Sequence, residues 1–325
     1  MKPIVSIVRK EQSLEKAVEE SLRQIGGIDS IVRQAGRVII KPNFTCALTP
    51  ETGAITDPAI VKTLAEKALS AGASEVIVAE AMGSGDARLD DINGLDAIAR
   101  MKGVRIIDLN DAPTDHIQVA DALAVEAFDI PRIVLKCDVL INLAKLKVHP
   151  QAMVSIGMKN LLGILPGRSF RDPEEAKRQG YLTPIIPGGG KKIFHDLAKD
   201  RGPEAMQDAI VDLNTVVPSH LIIVDAIYAM EGKGSPTRGK PVKMDLILAG
   251  TDVVAVEAVA SFIMGFDPNH MAYLRHAVEK GVGCEYRLEN IDIRGQQADA
   301  VCRKFERASA KSLWTDTCEV EQLET

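Results

Sequence analysis

The hydrophobic and polar positions of this chain predict strands that alternate with helices. Residues 11–25 carry apolar side chains at the spacing of one helical face and end at a glycine pair, which predicts an amphipathic helix. Short apolar runs without alternation are typical of strands that are buried on both faces. The predicted strands are 37–40, 75–79, 104–109, 138–143, 221–224 and 244–249, with an edge strand at 291–293. The other predicted helices are 56–72, 89–100, 206–217, 251–264 and 269–280.

This order of elements predicts the fold class and the domains. Strands alternating with helices imply parallel pairing through right-handed crossovers, so we predict an α/β fold with a doubly wound, mostly parallel sheet or sheets. The cleft should lie at the carboxyl ends of the strands. We expect residues 1–312 to form a single α/β unit, with 1–150 and 193–312 as two alternative lobes. Segment 167–192 is predicted to be an irregular loop or lid, and 313–325 a C-terminal tail.

The composition narrows the classes of partner. The chain has 325 residues, of which 46% are apolar and 26% charged, and its formal net charge is -6. Nucleic-acid binding relies on concentrated positive charge, so we expect no nucleic acid partner. The apolar runs are shorter than the ~18 to 20 residues of a membrane span, and the N-terminal run is too short for a signal peptide. We therefore expect a cytoplasmic protein without a membrane partner, and self-association into a homo-oligomer stays open.

The five cysteines indicate no metal or disulfide framework. They are widely scattered, and no CxxC spacing occurs. The sequence therefore predicts neither a disulfide scaffold, nor a zinc site, nor an iron–sulfur cluster. Four of them, Cys137, Cys284, Cys302 and Cys318, are expected to be buried reduced thiols. Cys46 differs because it follows a predicted strand and could line the cleft.

The predicted strand 138–143 runs into a cluster of basic and amide side chains. Grouped ammonium ions repel one another unless carboxylates or a bound anion offset the repulsion. Because ligands of open α/β sheets bind outside the carboxyl ends of the strands, we expect an anion-binding site here. The predicted ligand-binding residues are Lys41, Asn43, Cys46, Asn142, Lys145, Lys147, Lys159 and Asn160.

Three residues are candidates for catalysis. His149 lies just past the predicted strand end and could act as an acid, a base or a ligand. Asp225 and Glu231 follow another buried strand and need a lysine or a metal as partner. If a divalent metal binds, the candidate ligands are Glu80, Asp225 and Glu231. Alternatively, Lys41 and Glu80 form an ion pair with a structural role only.

The short motifs of several enzyme classes are absent from the sequence. The chain contains no GxxxxGK[ST], HExxH or GxSxG motif, which disfavours P-loop, zincin and serine-hydrolase chemistry. His195 follows the irregular segment and could reach the cleft with it. Asp252 precedes an apolar helical run and is predicted to be its N-cap.

Taken together, six segments resemble a bacterial and archaeal family catalogued as domain of unknown function 362. The resemblance spans residues 36–283 and implies a site that contains Lys41, Asn43, Lys145, Lys147, His149, Lys159, Asn160, Asp225 and Glu231. Many relatives carry a ferredoxin-like segment, which implies redox work in anaerobic metabolism, but the cysteine spacing of this chain cannot build one. At position 257 this chain has Glu where the family pattern has Asp. The matching segments are VIIKPN at 38–43, TDP at 56–58, INLAKLKVHP at 141–150, MKNLLGILPG at 158–167, VDAIYAMEGKGSP at 224–236 and AGTDVVAVEAVASFIMGFDP at 249–268.

Two functions follow as hypotheses. The first is an enzyme that acts on a small anionic carboxylate or phosphate metabolite by acid–base chemistry, as an isomerase, a lyase or a redox-associated enzyme. The second is a non-catalytic ligand- or cofactor-binding module that serves a redox protein partner in anaerobic metabolism. The cofactor is unknown, an iron–sulfur cluster is not expected from this chain alone, and a divalent metal stays open.

Overall fold

The structure is a computed structural model that describes residues 2–32, 36–82, 88–167 and 192–308. The predicted loop or lid falls almost entirely in 168–191, and it lies outside the described residues together with the predicted tail 313–325. The strands are β1 (Ile4–Arg9), β2 (Arg37–Lys41), β3 (Glu75–Glu80), β4 (Val104–Asp108), β5 (Thr114–Gln118), β6 (Ala127–Pro131), β7 (Val139–His149), β8 (Met153–Ser155), β9 (Leu221–Glu231), β10 (Lys240–Gly250) and β11 (Asp292–Gly295). The α-helices are α1 (Leu14–Gln24), α2 (Pro58–Ser70), α3 (Leu95–Ala99), α4 (Arg132–Leu135), α5 (Gly157–Asn160), α6 (Lys192–Arg201), α7 (Pro203–Val216), α8 (Val253–Ile263), α9 (Ala272–Glu279) and α10 (Ala298–Val301).

Nine of these strands form one mixed, mostly parallel sheet. Its order is β11-β1-β10-β9-β7-β2-β3-β4, and β8 pairs with the end of β7. The ladders from β9 through β7, β2 and β3 to β4 are parallel, whereas β10 is antiparallel to both of its neighbours. Strands β5 and β6 form a separate antiparallel hairpin. The predicted α/β class is therefore correct, and one sheet joins the halves that the sequence suggested as lobes.

The order in which the chain adds strands to the sheet reverses between β2 and β7. From β2 the chain adds β3 and then β4 on one side, whereas β7 and β9 lie on the other side. Strands β2 and β7 are parallel neighbours, so their carboxyl ends lie at the same edge. In open α/β sheets, ligands bind at such a switch point. The topology therefore places the candidate site beyond Lys41 and Asn142, which are paired in the sheet.

Helices cover both faces of the sheet. On one face, Ile60 and Leu64 of α2 pack in a buried cluster with Ile40. On the other face, Met206 of α7 and Val256 of α8 pack in a cluster that includes Ile39. Neighbouring residues of β2 thus face opposite cores, as the pleat of a strand requires. Burial on both faces explains why the strand sequences are continuous apolar runs.

Two central strands are longer than the sequence predicted. Strand β7 continues through Lys145, Lys147 and His149, which the sequence placed beyond its end, because β8 folds back and pairs with its last residues. Strand β9 continues to Glu231 because β10 pairs along its full length.

The sequence also missed β1, β5, β6 and β8. The predicted helix 89–100 is largely wrong, since Gly94 with a φ of 89° starts a short helix at 95.

The predicted caps and thiols had different outcomes. Asp57 and Asp252 are N-caps, and their carboxylates accept hydrogen bonds from the backbone N–H of Ala59 and Ala255. Cys284 and Cys302 are exposed, so the prediction of buried thiols is wrong for them. Both residues follow the ends of helical elements near the surface, where the apolar pattern has already stopped.

Asp212 of α7 binds the loop that joins β5 to β6. The side chain is fully buried, and its two oxygens accept hydrogen bonds from the backbone N–H groups of residues 123, 124 and 125 at 2.7 to 2.9 Å. A carboxylate that accepts several N–H groups replaces the water it loses on burial. Asp212 therefore stabilises the position of residues 123–125 against α7.

We expect Asp212→Ala to lower the free energy of unfolding by about 3 kcal/mol or more, since it leaves three N–H groups without an acceptor. Urea denaturation measures this effect. The control is Asp200→Ala on the exposed face of α6, which should change stability by less than about 0.5 kcal/mol. Equal effects of the two substitutions would contradict the assignment.

Candidate functional site

Asn160 is the centre of a hydrogen-bond network at the switch point. Its Oδ1 accepts hydrogen bonds from Lys41 Nζ at 3.1 Å and from Asn43 Nδ2 at 2.8 Å. Its Nδ2 donates to Asn142 Oδ1 at 2.8 Å. Asn142 in turn donates to the carbonyl of Gly157 at 2.8 Å. The network joins β2 and β7 to α5, so residues distant in sequence share one location.

Lys41 and Glu80 form a buried ion pair at the ends of β2 and β3. The Nζ–Oε2 distance is 2.6 Å, and the two residues are 1% and 2% exposed. Lys41 Nζ also donates to the carbonyl of Pro42. Gly163 lies against this pair, because a Cβ there would lie 2.1 Å from Glu80 Oε1. The structural ion pair that the sequence offered as an alternative is therefore present.

Lys145 and Asp225 form a second buried ion pair, between β7 and β9. Nζ and Oδ2 are 2.9 Å apart, and both side chains are completely buried. Asp225 also accepts hydrogen bonds from the backbone N–H of Asp57 and of Ile227, at 2.9 and 3.0 Å. Both carboxylate oxygens are thus occupied. Asp225 compensates the charge of Lys145 and fixes the start of α2.

Lys147 is buried without a carboxylate partner among the described residues. Its Nζ donates to Asn43 Oδ1 and to the carbonyl of Ala54, both at 2.9 Å. Burial lowers the pKa of Lys147 to about 7, and the positive charge of Lys159 contributes to the shift. The half-buried Cys46 lies in the same environment, and burial raises the pKa of its thiol. The site therefore contains an amine that titrates near neutral pH.

The hydrogen bonds of His149 define its tautomer. Nδ1 accepts from the backbone N–H groups of Gln151 and Ala152, at 3.2 and 3.1 Å. Burial, followed by the positive charge of Lys159, holds the pKa of His149 well below its usual value. The ring is therefore neutral, with its proton on Nε2. It can donate a hydrogen bond from Nε2, whereas a general base or metal ligand would need that nitrogen unprotonated.

The short helix α5 presents Lys159 and Asn160, and two buried side chains hold it. Glu257 of α8 accepts a hydrogen bond from the backbone N–H of Met158 at 3.0 Å, and Asn214 of α7 donates to the Met158 carbonyl at 3.0 Å. Burial raises the pKa of Glu257 to about 7. The sequence did not predict these roles for Glu257 and Asn214. The available signal was a glutamate within the otherwise apolar helix 253–263.

Glu231 lies apart from this network. Its Oε2 accepts a hydrogen bond from the backbone N–H of Glu306 at 2.9 Å, and its Oε1 is 3.8 Å from Arg303. The carboxylate therefore contacts the segment after α10 instead of His149. The metal candidates Glu80, Asp225 and Glu231 have three different cationic partners. Among the described residues, no group of three or more His, Cys, Asp or Glu side chains could hold a metal ion.

His195 lies near His149, as the sequence suggested. The ring centroids are 6.4 Å apart, and His195 Nδ1 is 3.0 Å from Gln151 Oε1. An amide oxygen only accepts, so Nδ1 of His195 carries the proton when the ring is neutral. Both histidines thus use Nδ1, which accepts hydrogen bonds in His149 and donates one in His195.

The fold and these residues define an α/β protein with a buried, lysine-rich site at the switch point of its sheet. A family model, described as domain of unknown function (DUF362), matches residues 38–261. The chain belongs to this family. The match includes all the predicted site residues, from Lys41 to Glu231.

Known proteins with similar sequence or structure cover most of this chain. A thylakoid-associated protein of Synechocystis sp. is 25% identical over 269 residues, which are 81% of this chain and 75% of the relative. The lactate racemase apoprotein of Thermoanaerobacterium thermosaccharolyticum aligns with 81% of this chain at 16% identity and a TM-score of 0.44. A protein of Thermotoga maritima aligns with 84% at 11% identity and a TM-score of 0.46. This chain spans 57% and 60% of the length of those two structures.

The described helices are all too short or too polar to cross a lipid bilayer. The cytoplasmic location, the redox protein partner and self-association stay predictions from the sequence.

We expect Lys145→Met to lower the free energy of unfolding by about 3 to 5 kcal/mol, because it leaves the Asp225 carboxylate buried and unpaired. Adding Asp225→Asn should recover part of this loss, since it removes the unpaired charge. Urea denaturation of the single and double variants measures the coupling. The control is Arg100→Met in an exposed pair with Asp96, for which we expect less than about 1 kcal/mol. A double variant less stable than Lys145→Met would contradict this account.

The titration of Lys147 should be visible in the stability of the protein. Its pKa is about 7 in the folded chain and returns toward 10.5 on unfolding, so the unfolded state binds more protons between these values. Stability relative to Lys147→Met should therefore rise with pH above about 7, by at most about 1.4 kcal/mol per pH unit. Denaturation of both proteins at pH 6 to 9 measures the difference. A difference that is constant with pH would contradict the shifted pKa.

Proposed function

We propose that this protein is an enzyme that binds a small carboxylate or phosphate at Lys147 and Lys159 and acts on it by acid–base chemistry. The observation that carries this proposal is the contrast among three buried lysines. Lys41 and Lys145 have carboxylate partners, whereas the hydrogen-bond acceptors of Lys147 are neutral oxygens. A buried ammonium without an anion carries a large desolvation cost. A bound anion would supply the missing charge.

The surrounding groups suit an anion better than a cation. The Lys159 ammonium is the strongest neighbouring charge acting on both Lys147 and His149. The neutral His149 can donate a hydrogen bond from Nε2, and a donor of this kind stabilises a developing negative charge on oxygen. In this proposal Asp225 has a supporting role, since it neutralises Lys145, and no role is given to Glu231.

Lys147 is the group best suited to exchange a proton. General acid–base catalysis is most effective when the pKa of the group lies near the working pH. The pKa of Lys147, about 7, meets this condition, whereas His149 remains neutral throughout the physiological range. Removal of a proton next to a carboxylate, followed by isomerisation or elimination, is the reaction class that these groups support.

We expect a small carboxylate or inorganic phosphate to raise the melting temperature of the native protein near pH 7. At a ligand concentration of 100 times Kd, binding adds about 2.7 kcal/mol of stability. Lys147→Met should remove the effect. The matched control is Lys62→Met, on the exposed surface of α2, which should keep it. The measurement is a thermal-shift series with acetate, lactate, pyruvate, oxalate and phosphate, followed by calorimetry on any compound that binds.

Exchange of carbon-bound hydrogen with solvent separates an enzyme from a non-catalytic binding module. An enzyme should incorporate deuterium from D2O into the bound carboxylate, and Lys147→Met should slow this by a factor of about 10² to 10⁴. Proton NMR of the carboxylate measures it. Binding without exchange would support the module and contradict the catalytic proposal. Equal binding by native protein and Lys147→Met would contradict the site.

A further inference from the structure

The hydrogen bonds of Lys147 fit an uncharged amine. A neutral primary amine has two N–H groups and one lone pair, whereas an ammonium has three N–H groups and no lone pair. Lys147 Nζ has two acceptors, Asn43 Oδ1 and the carbonyl of Ala54, each at 2.9 Å. If both N–H groups point at these oxygens, the lone pair occupies a remaining tetrahedral direction. The arrangement leaves the nucleophilic side of the nitrogen unused.

Lys41, on the neighbouring strand β2, is held in a different way. Its Nζ has three acceptors, which are Glu80 Oε2, Asn160 Oδ1 and the carbonyl of Pro42. Three acceptors, one of them a carboxylate, fit an ammonium. Two lysines of one site are thus held in different ways. Burial lowers the pKa of both lysines, but of the two only Lys41 has, within the described part of the chain, a carboxylate beside its nitrogen to favour the ammonium.

The surroundings of Lys147 also favour the uncharged form. The side chain is 1% exposed, and the charges of Lys159, Lys145 and Lys41 all oppose protonation. Lysines that are desolvated or adjacent to other cations are the ones that form Schiff bases with carbonyl substrates, because their amines are unprotonated at neutral pH. Lys147 is therefore suited to form a covalent C–N bond with a carbonyl substrate.

We propose that Lys147 forms an imine with the carbonyl carbon of a small 2-oxo acid. This inference rests on the proposed anion site and narrows its substrate class. A 2-oxo acid places a carboxylate beside the reacting carbonyl, and the Lys159 ammonium attracts such a carboxylate. The imine would then withdraw electrons from the carbon on the side away from the carboxylate, so that a proton can leave from that carbon.

The reaction balances without an oxidant or a reductant. The lone pair of Nζ attacks the carbonyl carbon, a C–N bond forms, and one of the two amine protons passes to the carbonyl oxygen. This oxygen takes a second proton from solvent, the C–O bond breaks, and the oxygen leaves as water. The C=N bond forms at the same time, and the nitrogen keeps its other proton as an iminium. His149 lies two residues after Lys147 on β7, on the same side of the strand. In this proposal its Nε2–H donates a hydrogen bond to the departing oxygen.

One segment of chain covers Lys147 on its outer side. The residues that hold its Nζ, Asn43 and Ala54, both lie in the connection between β2 and α2, residues 42–57. Within this connection Cys46 is half-buried and Leu48 is 41% exposed. In this proposal, displacement of this connection admits the small molecule to the amine.

Reductive trapping tests the proposal. The native protein is incubated with pyruvate or glyoxylate and sodium cyanoborohydride, which reduces an imine to a stable secondary amine, and peptides are mapped by mass spectrometry. We expect one main adduct on the peptide that contains Lys147, with a yield that rises from pH 6 to pH 8. Lys147→Arg should abolish this adduct, and Lys62→Arg should leave it unchanged. Circular dichroism and thermal melts confirm that both variants are folded.

The possible outcomes separate this inference from the proposed function. Stabilisation by pyruvate, acetate or phosphate without an adduct on Lys147 would overturn the imine and leave the anion site in place. Adducts spread over exposed lysines, at equal yield in Lys147→Arg, would also overturn it. Neither stabilisation nor an adduct would contradict both proposals. If Lys147→Arg does not fold, trapping on the native protein alone, with the site identified by mapping, still decides the matter.

Discussion

The cost of burying lysine is the constraint on which this structure depends. An ammonium removed from water loses several kcal/mol of solvation, and only a close anion or a shifted pKa offsets this. Lys41 and Lys145 follow the first route, through Glu80 and Asp225, although burial still lowers the pKa of Lys41. Lys147 follows the second route, with a pKa of about 7. The same sheet edge thus contains two fixed ion pairs and one group that changes its charge near neutral pH.

The network of asparagine side chains explains how Lys41 and Lys147 lie in one site with different hydrogen-bond partners. Asn160 accepts from Lys41 and donates to Asn142, and Asn43 contacts both Asn160 and Lys147. Amide groups both donate and accept, so they connect charged groups without adding charge of their own. The protein therefore keeps Lys147 near three other cations while giving it only neutral hydrogen-bond partners. Replacement of an amide by a carboxylate would convert Lys147 into a third ion pair.

The sequence predicted what depends on local pattern and missed what depends on pairing. The positions of Lys41 at the end of β2 and of Asn142 beside it in β7 follow from apolar runs, and the cap Asp252 follows from residue type. The direction of Glu231 depends on how β9 pairs with β10, because side chains alternate between faces and the register of a strand decides which face each occupies. The function of Glu257 depends on the packing of two helices, which no local pattern records.

The two proposed uses of Lys147 have opposite requirements for its proton. Binding of an anion favours the ammonium, and by linkage the anion raises the pKa of Lys147. Attack on a carbonyl needs the uncharged amine. A pKa of about 7 leaves both forms populated at neutral pH, so neither step is suppressed. A carboxylate within hydrogen-bond distance of Nζ would shift this balance to the ammonium, which explains why the position is surrounded by amide and carbonyl oxygens.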